Sequence, residues 1–224
     1  VTSLVVSEVF GPTVQGEGPS LGRRAGFVRL GRCNLACSWC DTPYTWDWSR
    51  FDPAAELRRW PVSEIVAAVE AMDVPMVVVT GGEPLLQQTA LVSLLEAMAG
   101  RWRIEVETAG TIAPRPELVS LVDRFNVSPK LANSGNPSSQ RVRPEALAAF
   151  MATGAAVFKF VVADVAELDE VAAFGVEPVW VMPEGTSAAV LHERLSALAD
   201  AVIDRGWNLT TRLHVEIWGD KRGV

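Results

Sequence analysis

"FVRLGRCNLACSWCDT", residues 27–42, carries an apolar run directly into three cysteines. Residues 27–30 read as a short buried strand. Cys33, Cys37 and Cys40 follow within eight positions, and the chain has no other cysteine. A strand that delivers reactive side chains at its carboxyl end is the pattern of a parallel α/β sheet, where ligands collect at that end.

The pattern recurs. Residues 76–80, 103–108, 124–128, 157–162 and 176–182 are further apolar or β-branched runs, each the length of a buried strand. Helical apolar stripes lie at 62–72, 88–98, 115–122, 144–153, 165–174 and 188–204. Special residues follow the strands: "TGGEP" at 80–84, "ETAGT" at 107–111, "SPK" at 128–130 and "MPEG" at 182–185. Six successive strand–helix units imply parallel strands joined by right-handed crossovers. An open doubly wound sheet and a barrel are both possible, but a site spread over five or more strand ends suits a curved sheet better. Eight units usually take about 250 residues. The expectation is therefore an α/β fold, a partial TIM-like (β/α)6 barrel, as a single domain over 1–224. Flanking strands are expected near 4–9 and near 211–217.

The chain has 224 residues and a net charge of −7, from 27 acidic and 20 basic residues. Nucleic acid is bound largely through neutralised phosphates, and the basic pieces here, 22–26 and 220–224, are short, so no nucleic-acid partner is expected. No apolar stretch approaches the ~18 residues of a membrane span. The first residues lack the basic head and apolar run of a signal peptide. A cytoplasmic location without membrane contact follows as an expectation, and there clustered cysteines serve metals or catalysis more often than disulfides.

Three thiols in one loop leave two readings open. A zinc site would need a histidine, and only His192 and His214 are present. A four-iron cluster would leave one iron without a protein ligand, free to bind a small chelating molecule.

Cys-x3-Cys-x2-Cys with Trp39 before the last cysteine, followed downstream by "GGEP", resembles the radical S-adenosylmethionine (SAM) enzymes. The segment "SEVFGPTVQGEGPSLGRRAGFVRLGRCNLACSWCDT" (7–42) and the ending "RLHVEIWGDKRGV" (212–224) are similar to the 7-carboxy-7-deazaguanine synthase family within them. The resemblance implies a [4Fe–4S] cluster on Cys33, Cys37 and Cys40, whose open iron is chelated by SAM. Reductive cleavage of SAM then gives a 5′-deoxyadenosyl radical, with electrons from a donor such as flavodoxin or ferredoxin. The implied reaction contracts the ring of 6-carboxy-5,6,7,8-tetrahydropterin to 7-carboxy-7-deazaguanine with release of ammonia, in queuosine-type 7-deazapurine biosynthesis. Mg2+ and a homodimer are implied as well.

Site residues follow from the same motifs. Gly81 and Gly82 would let a ligand approach the backbone; by resemblance the SAM methionine group meets Gly82 and Glu83. Trp39 and Glu107 belong to the same set, although Ala109 stands where that family usually has Asn. Ser128, Pro129 and Lys130, with Val181, Met182, Pro183 and Glu184, match stretches that hold the ribose, carboxylate and adenine. Val181 replaces an expected Gln, so its contact would be through backbone. On the substrate side, Gln15 and Glu17 offer acceptors and donors for a pterin edge, within the matched stretch Val14, Gln15, Gly16 and Glu17. Arg29 offers a planar fork for a carboxylate. Thr80 and His214 complete the substrate set with Val224, expected where the final residues fold back. Thr42 would give Mg2+ a hydroxyl oxygen. Two other classes compete: an activase acting on a protein glycine, and a non-catalytic iron–sulfur or zinc module. The second has no use for "GGEP" or "VQGEG".

Overall fold

In the computed structural model, which describes residues 2–224, a nine-stranded sheet runs through the chain. Its strands are β1 (Ser3–Val14), β2 (Arg24–Leu30), β3 (Arg58–Pro61), β4 (Met76–Gly81), β5 (Arg103–Thr108), β6 (Arg124–Val127), β7 (Ala156–Val162), β8 (Val179–Pro183) and β9 (Asn208–Leu209). They lie in the order β3-β1-β2-β4-β5-β6-β7-β8-β9. From β2 to β9 every neighbouring pair is parallel, and β1 runs antiparallel to both β2 and β3. Among the parallel strands, from β2 to β9, the order never reverses, so this part of the sheet has no switch point of the doubly wound kind. It is singly wound, the topology of a partial barrel with six strand–helix units.

The helices are α1 (Pro53–Glu56), α2 (Val62–Glu70), α3 (Gln88–Met98), α4 (Pro116–Val119), α5 (Ser138–Arg141), α6 (Pro144–Ala152), α7 (Leu168–Ala173), α8 (Ala188–Asp204) and α9 (Leu213–Trp218). Strand side chains alternate faces, and the two faces differ sharply. Val77, Val79, Ile104, Val106, Phe125, Val127, Phe158 and Phe160 form one buried cluster with Ile65, Leu91, Leu95 and Phe150 of the helices. The alternate residues, Arg29, Thr80, Glu105, Glu107, Asn126 and Lys159, face the barrel interior. Toward the amino ends that interior is filled by Ala25, Phe27, Met76 and Val78. One side of the sheet is therefore a conventional core and the other a polar chamber. None of the helices is long and apolar enough to cross a membrane, among the described residues.

Three expectations shift and one strand is added. The strand read at 211–217 is α9, and the last strand is the two-residue β9 before it. Leu213, Val215 and Ile217 alternate like a strand, but only Val215 is deeply buried and Ile217 is 52% exposed, so the alternation marks no sheet face. The helical stripe at 115–122 contracts to a single turn, started by Pro116. The first strand runs to Val14, well past residue 9, and crosses two register shifts that bring its end to the chamber's mouth. β3, which covers the outer edge of β1, had no counterpart in the sequence reading.

The turn after β4 knits the strand ends together. Gly82 N donates to the Leu30 carbonyl (3.1 Å) and Glu83 N to the Arg32 carbonyl (2.8 Å). A Cβ on either Gly81 or Gly82 would collide with the backbone of Leu30 or Arg32. These glycines therefore admit the end of β2 and the start of the cysteine loop, and both also line the cavity described below. Glu83 is fully buried and its carboxylate accepts from Leu85 N, Thr108 Oγ1 and Ala109 N at 2.8–2.9 Å. Gly82→Ala is expected to lower stability by about 1–3 kcal/mol, as overpacking does, and to reduce iron uptake by the loop. Thermal unfolding of the reconstituted protein checks this; a melting temperature equal to the parent's would refute it.

Candidate active site

At the carboxyl ends of the strands a cavity opens, lined by the cysteine loop on one side and residues 14–17 on the other. The loop is held from below by residues 131–136. Ala36 N donates to Asn136 Oδ1 (2.9 Å), Ser38 N to the Ser134 carbonyl (3.0 Å), and Trp39 Nε1 to Asn133 Oδ1 (3.2 Å). Each sulfur also receives an N–H. Leu35 N points at Cys33 (3.4 Å), Asn136 Nδ2 at Cys37 (3.3 Å) and Trp46 Nε1 at Cys40 (3.3 Å).

Those three donors suit thiolates, yet burial pushes the Cys33 thiol up to about 12 and raises that of Cys37. Lys130 only partly offsets this at Cys37, so both lie above the ordinary thiol range; iron would supply the positive charge that favours the thiolates. Hydrogen bonds to sulfur are among the groups that set a cluster's potential. The donor set therefore fits an iron–sulfur cluster. Among the described residues, no three His, Cys, Asp or Glu side chains close on a point that would hold a single ion. His192, one of the two histidines a zinc site could use, is exposed on α8.

The opposite wall is built from side chains. Glu107, on β5, accepts from Gln15 Nε2 (3.1 Å) and Thr80 Oγ1 (2.7 Å). Glu17 is bound by Lys159 and by Arg212 Nε, the latter at 3.2 Å. Burial would raise the Glu17 carboxyl, but these two cations hold it well below the usual carboxylate range. Arg212 also pairs with Asp41 and donates to the Gly185 carbonyl (2.8 Å), so one guanidinium ties three loops. The ring of His214 lies against Gly16, where a Cβ would strike it, and burial lowers its pKa. It is therefore neutral at pH 7 and can both donate and accept. Arg29 Nε is bound to Glu8 (2.7 Å), which also accepts from Tyr44 Oη (2.9 Å). The two terminal nitrogens of Arg29 have no hydrogen-bond partner among the described residues, and the side chain lines the cavity. Arg222 reaches Glu8 and Glu56, stacks 3.7 Å over Tyr44, and so brings Val224 to the cavity wall.

Of the expected SAM residues, Trp39, Gly82, Glu107, Ser128, Lys130, Met182 and Glu184 line this cavity. So do Val14, Gln15, Gly16, Glu17, Arg29, Thr80, His214 and Val224, with Cys33, Cys37, Cys40 and Thr42. Glu83, Pro129, Val181 and Pro183 do not. Glu83 is committed to the turn described above, and Pro129 and Pro183 are buried. Val181 faces the helix layer, and its carbonyl is taken by Thr210 N (2.9 Å). Residues that the sequence reading missed stand in the wall as well: Asp41, Trp46, Asn126, Lys159 and Arg212. Lys159 had a visible signal, as the lone charge in the apolar strand 156–162.

Residues 28–154 match the Radical SAM superfamily. A 7-carboxy-7-deazaguanine synthase of Pyrobaculum aerophilum is 40% identical over 97% of this chain and 96% of its own length. The chain belongs to the 7-carboxy-7-deazaguanine synthase family of radical SAM proteins. The relative from Bacillus subtilis bearing the same name is 30% identical over 98% of each chain. The crystal structure of QueE from Escherichia coli superposes with a TM-score of 0.69 at 26% identity, covering 95% of both chains. Streptococcus suis SuiB bound to S-adenosylmethionine shares the fold, with a TM-score of 0.54 at 15% identity over 80% of this chain and 48% of that one. Membership of the radical SAM family brings with it a [4Fe–4S] cluster and SAM.

Trp46→Phe removes one N–H from the Cys40 sulfur while preserving an aromatic side chain. The reduced, more negative cluster loses more from this than the oxidised one, so the reduction potential should fall. Anaerobic redox titration followed by electron paramagnetic resonance measures the shift. A potential matching the parent's would show that this contact does not reach the cluster.

Proposed function

We propose that this chain, acting as one domain over residues 1–224, converts 6-carboxy-5,6,7,8-tetrahydropterin into 7-carboxy-7-deazaguanine and ammonia. Loss of ammonia accounts for every atom, so no net oxidant is required. The observation that carries this reading is the pairing, in one cavity, of the three-cysteine loop with a wall of oriented polar and charged side chains from residues 15, 17, 29, 107 and 214. When bound, the cluster and SAM would supply an electron and a 5′-deoxyadenosyl radical able to take the substrate's C6 hydrogen. The protein's own residues bind, orient and exclude water. Arg29 turns its free fork to the substrate carboxylate, and Gln15, Glu17 and His214 meet the pyrimidinone edge. Gly82, Trp39, Ser128, Lys130, Met182 and Glu184 hold SAM against the loop. His214 and Val224 in the cavity wall favour a small molecule over a polypeptide glycine.

Mg2+ bound by the Thr42 hydroxyl, a homodimer, a flavodoxin- or ferredoxin-type donor, a cytoplasmic location and use of the product in deazapurines of tRNA or natural products complete the reading. Anaerobic incubation with the tetrahydropterin, SAM and reductant tests it: the deazaguanine chromophore and ammonia should appear together. Cleavage of SAM without either would overturn the assignment.

Truncating one member of a desolvated charge pair costs roughly 2–5 kcal/mol, so Arg29→Ala should weaken the tetrahydropterin by about 30-fold or more. SAM affinity should stay the same, and calorimetry on both ligands separates the two. Equal substrate affinity in parent and variant would place the carboxylate elsewhere. Thr42→Val keeps the shape of the side chain and removes its oxygen. Stimulation of turnover by Mg2+ should then largely vanish; a magnesium response like the parent's would exclude this ligand.

A further inference from the structure

β7 reads Ala-Val-Phe-Lys-Phe-Val-Val. Phe158 and Phe160 are fully buried in the outer core, so Lys159 between them points into the barrel, where it is 6% exposed. An ammonium there loses most of its hydration, and the Glu17 carboxylate is what it meets. Such a pair contributes little stability by itself, because well-packed apolar residues of similar size are often as good or better. Its presence in a ligand cavity therefore calls for a use.

The surroundings of Glu17 define that use. One carboxylate oxygen faces Lys159 from β7, and the other faces Arg212 Nε at 3.2 Å from the segment before α9. His214, neutral through burial, approaches from α9. Glu107 on β5 acts on Lys159 from across the chamber, and Asp41 on Arg212 from the cysteine loop. The backbone beside it is pinned as well: the Gly16 carbonyl accepts from Leu213 N (2.8 Å), and Gly18 N donates to Thr210 Oγ1 (2.9 Å). Glu17 is thus ionised, with each oxygen held from the protein side. A carboxylate has about four lone-pair sites, so acceptor capacity remains on the face that lines the cavity.

We propose that Lys159 is a positioning residue that holds Glu17 as an oriented acceptor for the amino edge of the pterin ring. In this way it sets the choice of a 2-amino-4-oxo ring over a 2,4-dioxo one. The inference rests on the tetrahydropterin reading above. A fixed carboxylate takes a hydrogen bond from an amino group and repels a carbonyl in its place. Discrimination of this kind depends on the acceptor being held still, since a mobile carboxylate could turn away from the wrong ring.

The test compares 6-carboxypterin with 6-carboxylumazine, which carries oxygen in place of the 2-amino group. Binding is measured by calorimetry on the cluster-loaded protein with SAM present. The parent should prefer the pterin by about tenfold or more, the weight of one hydrogen bond to a charged group. Lys159→Met should bring the ratio toward one, with SAM affinity and cluster content unchanged, and Lys159→Arg should recover part of it. Arg212 still faces Glu17 in the methionine variant, so no buried charge is left alone. Glu17→Gln is a second route to the same loss should Lys159→Met fail to fold. A parent-like ratio in Lys159→Met, or in Glu17→Gln if that variant alone folds, would overturn the inference, as would a parent without preference. A parent that neither binds the carboxypterin nor turns over the tetrahydropterin would instead remove the functional reading beneath it.

Discussion

The Arg32 carbonyl sits where a side chain on residue 82 would have to be. That close crossing is the constraint on which the site depends. It lets the end of β2 hydrogen-bond to the turn after β4, and the same turn places Glu83 where β5 can clasp it. Three strand ends become one rigid ledge, and the cysteine loop begins on it. The buried carboxylate at the centre is costly on its own, and burial raises its pKa. Its donors from Leu85, Thr108 and Ala109 offset that cost locally. A ligand-facing role for Glu83 would have left this ledge unsupported.

Much of this was legible because parallel strands announce themselves twice, by their apolar runs and by the special residues at their carboxyl ends. The cysteine loop, "TGGEP" and "SPK" each mark a strand end, and all three reach the cavity wall, with Glu83, Pro84 and Pro129 turned inward to the fold. The missed residues lie within strands or beyond any motif. Arg103, Glu105 and Glu107 recur at every second position of β5, a period that in a sheet covered on one face by helices must mean an occupied interior. Only Glu107 was singled out. Glu105, with no exposure at all, is answered by Ser20, Asn126, Arg103 and Arg124 one layer deeper. Arg212 was illegible for another reason: its three partners come from residues 17, 41 and 185, a convergence that only the fold creates. The α9 segment misled because alternation is a weak signal when no sheet edge remains to receive it.

The two walls of the cavity are made in different ways. The cofactor wall is chiefly backbone: two glycines that allow a close crossing, a loop hung on carbonyls and amides, and three sulfurs met by N–H groups. Burial raises the thiol pKa of Cys33 and Cys37, so the wall is poised by geometry more than by electrostatics. The opposite wall, where we place the substrate, is made of charged side chains in pairs, Glu8 with Arg29, Glu17 with Lys159, and Asp41 with Arg212. Within this wall Lys159 and Arg212 hold the buried Glu17 carboxyl well below the usual carboxylate range, against the pull of its burial.

This division bears on how such a site could change. A new substrate needs a new pattern of donors and acceptors, and swapping one charged pair alters that pattern without disturbing the strand ends. A new cofactor would require a different crossing of the backbone at Gly81 and Gly82, and with it a different sheet. Arg212 is the exception, because it touches both walls: Asp41 follows the last cysteine directly, and Glu17 stands in the substrate wall. Whatever moves Glu17 therefore also pulls on the exit of the cysteine loop. The two walls are joined through this one guanidinium, held between the carboxylates of Glu17 and Asp41.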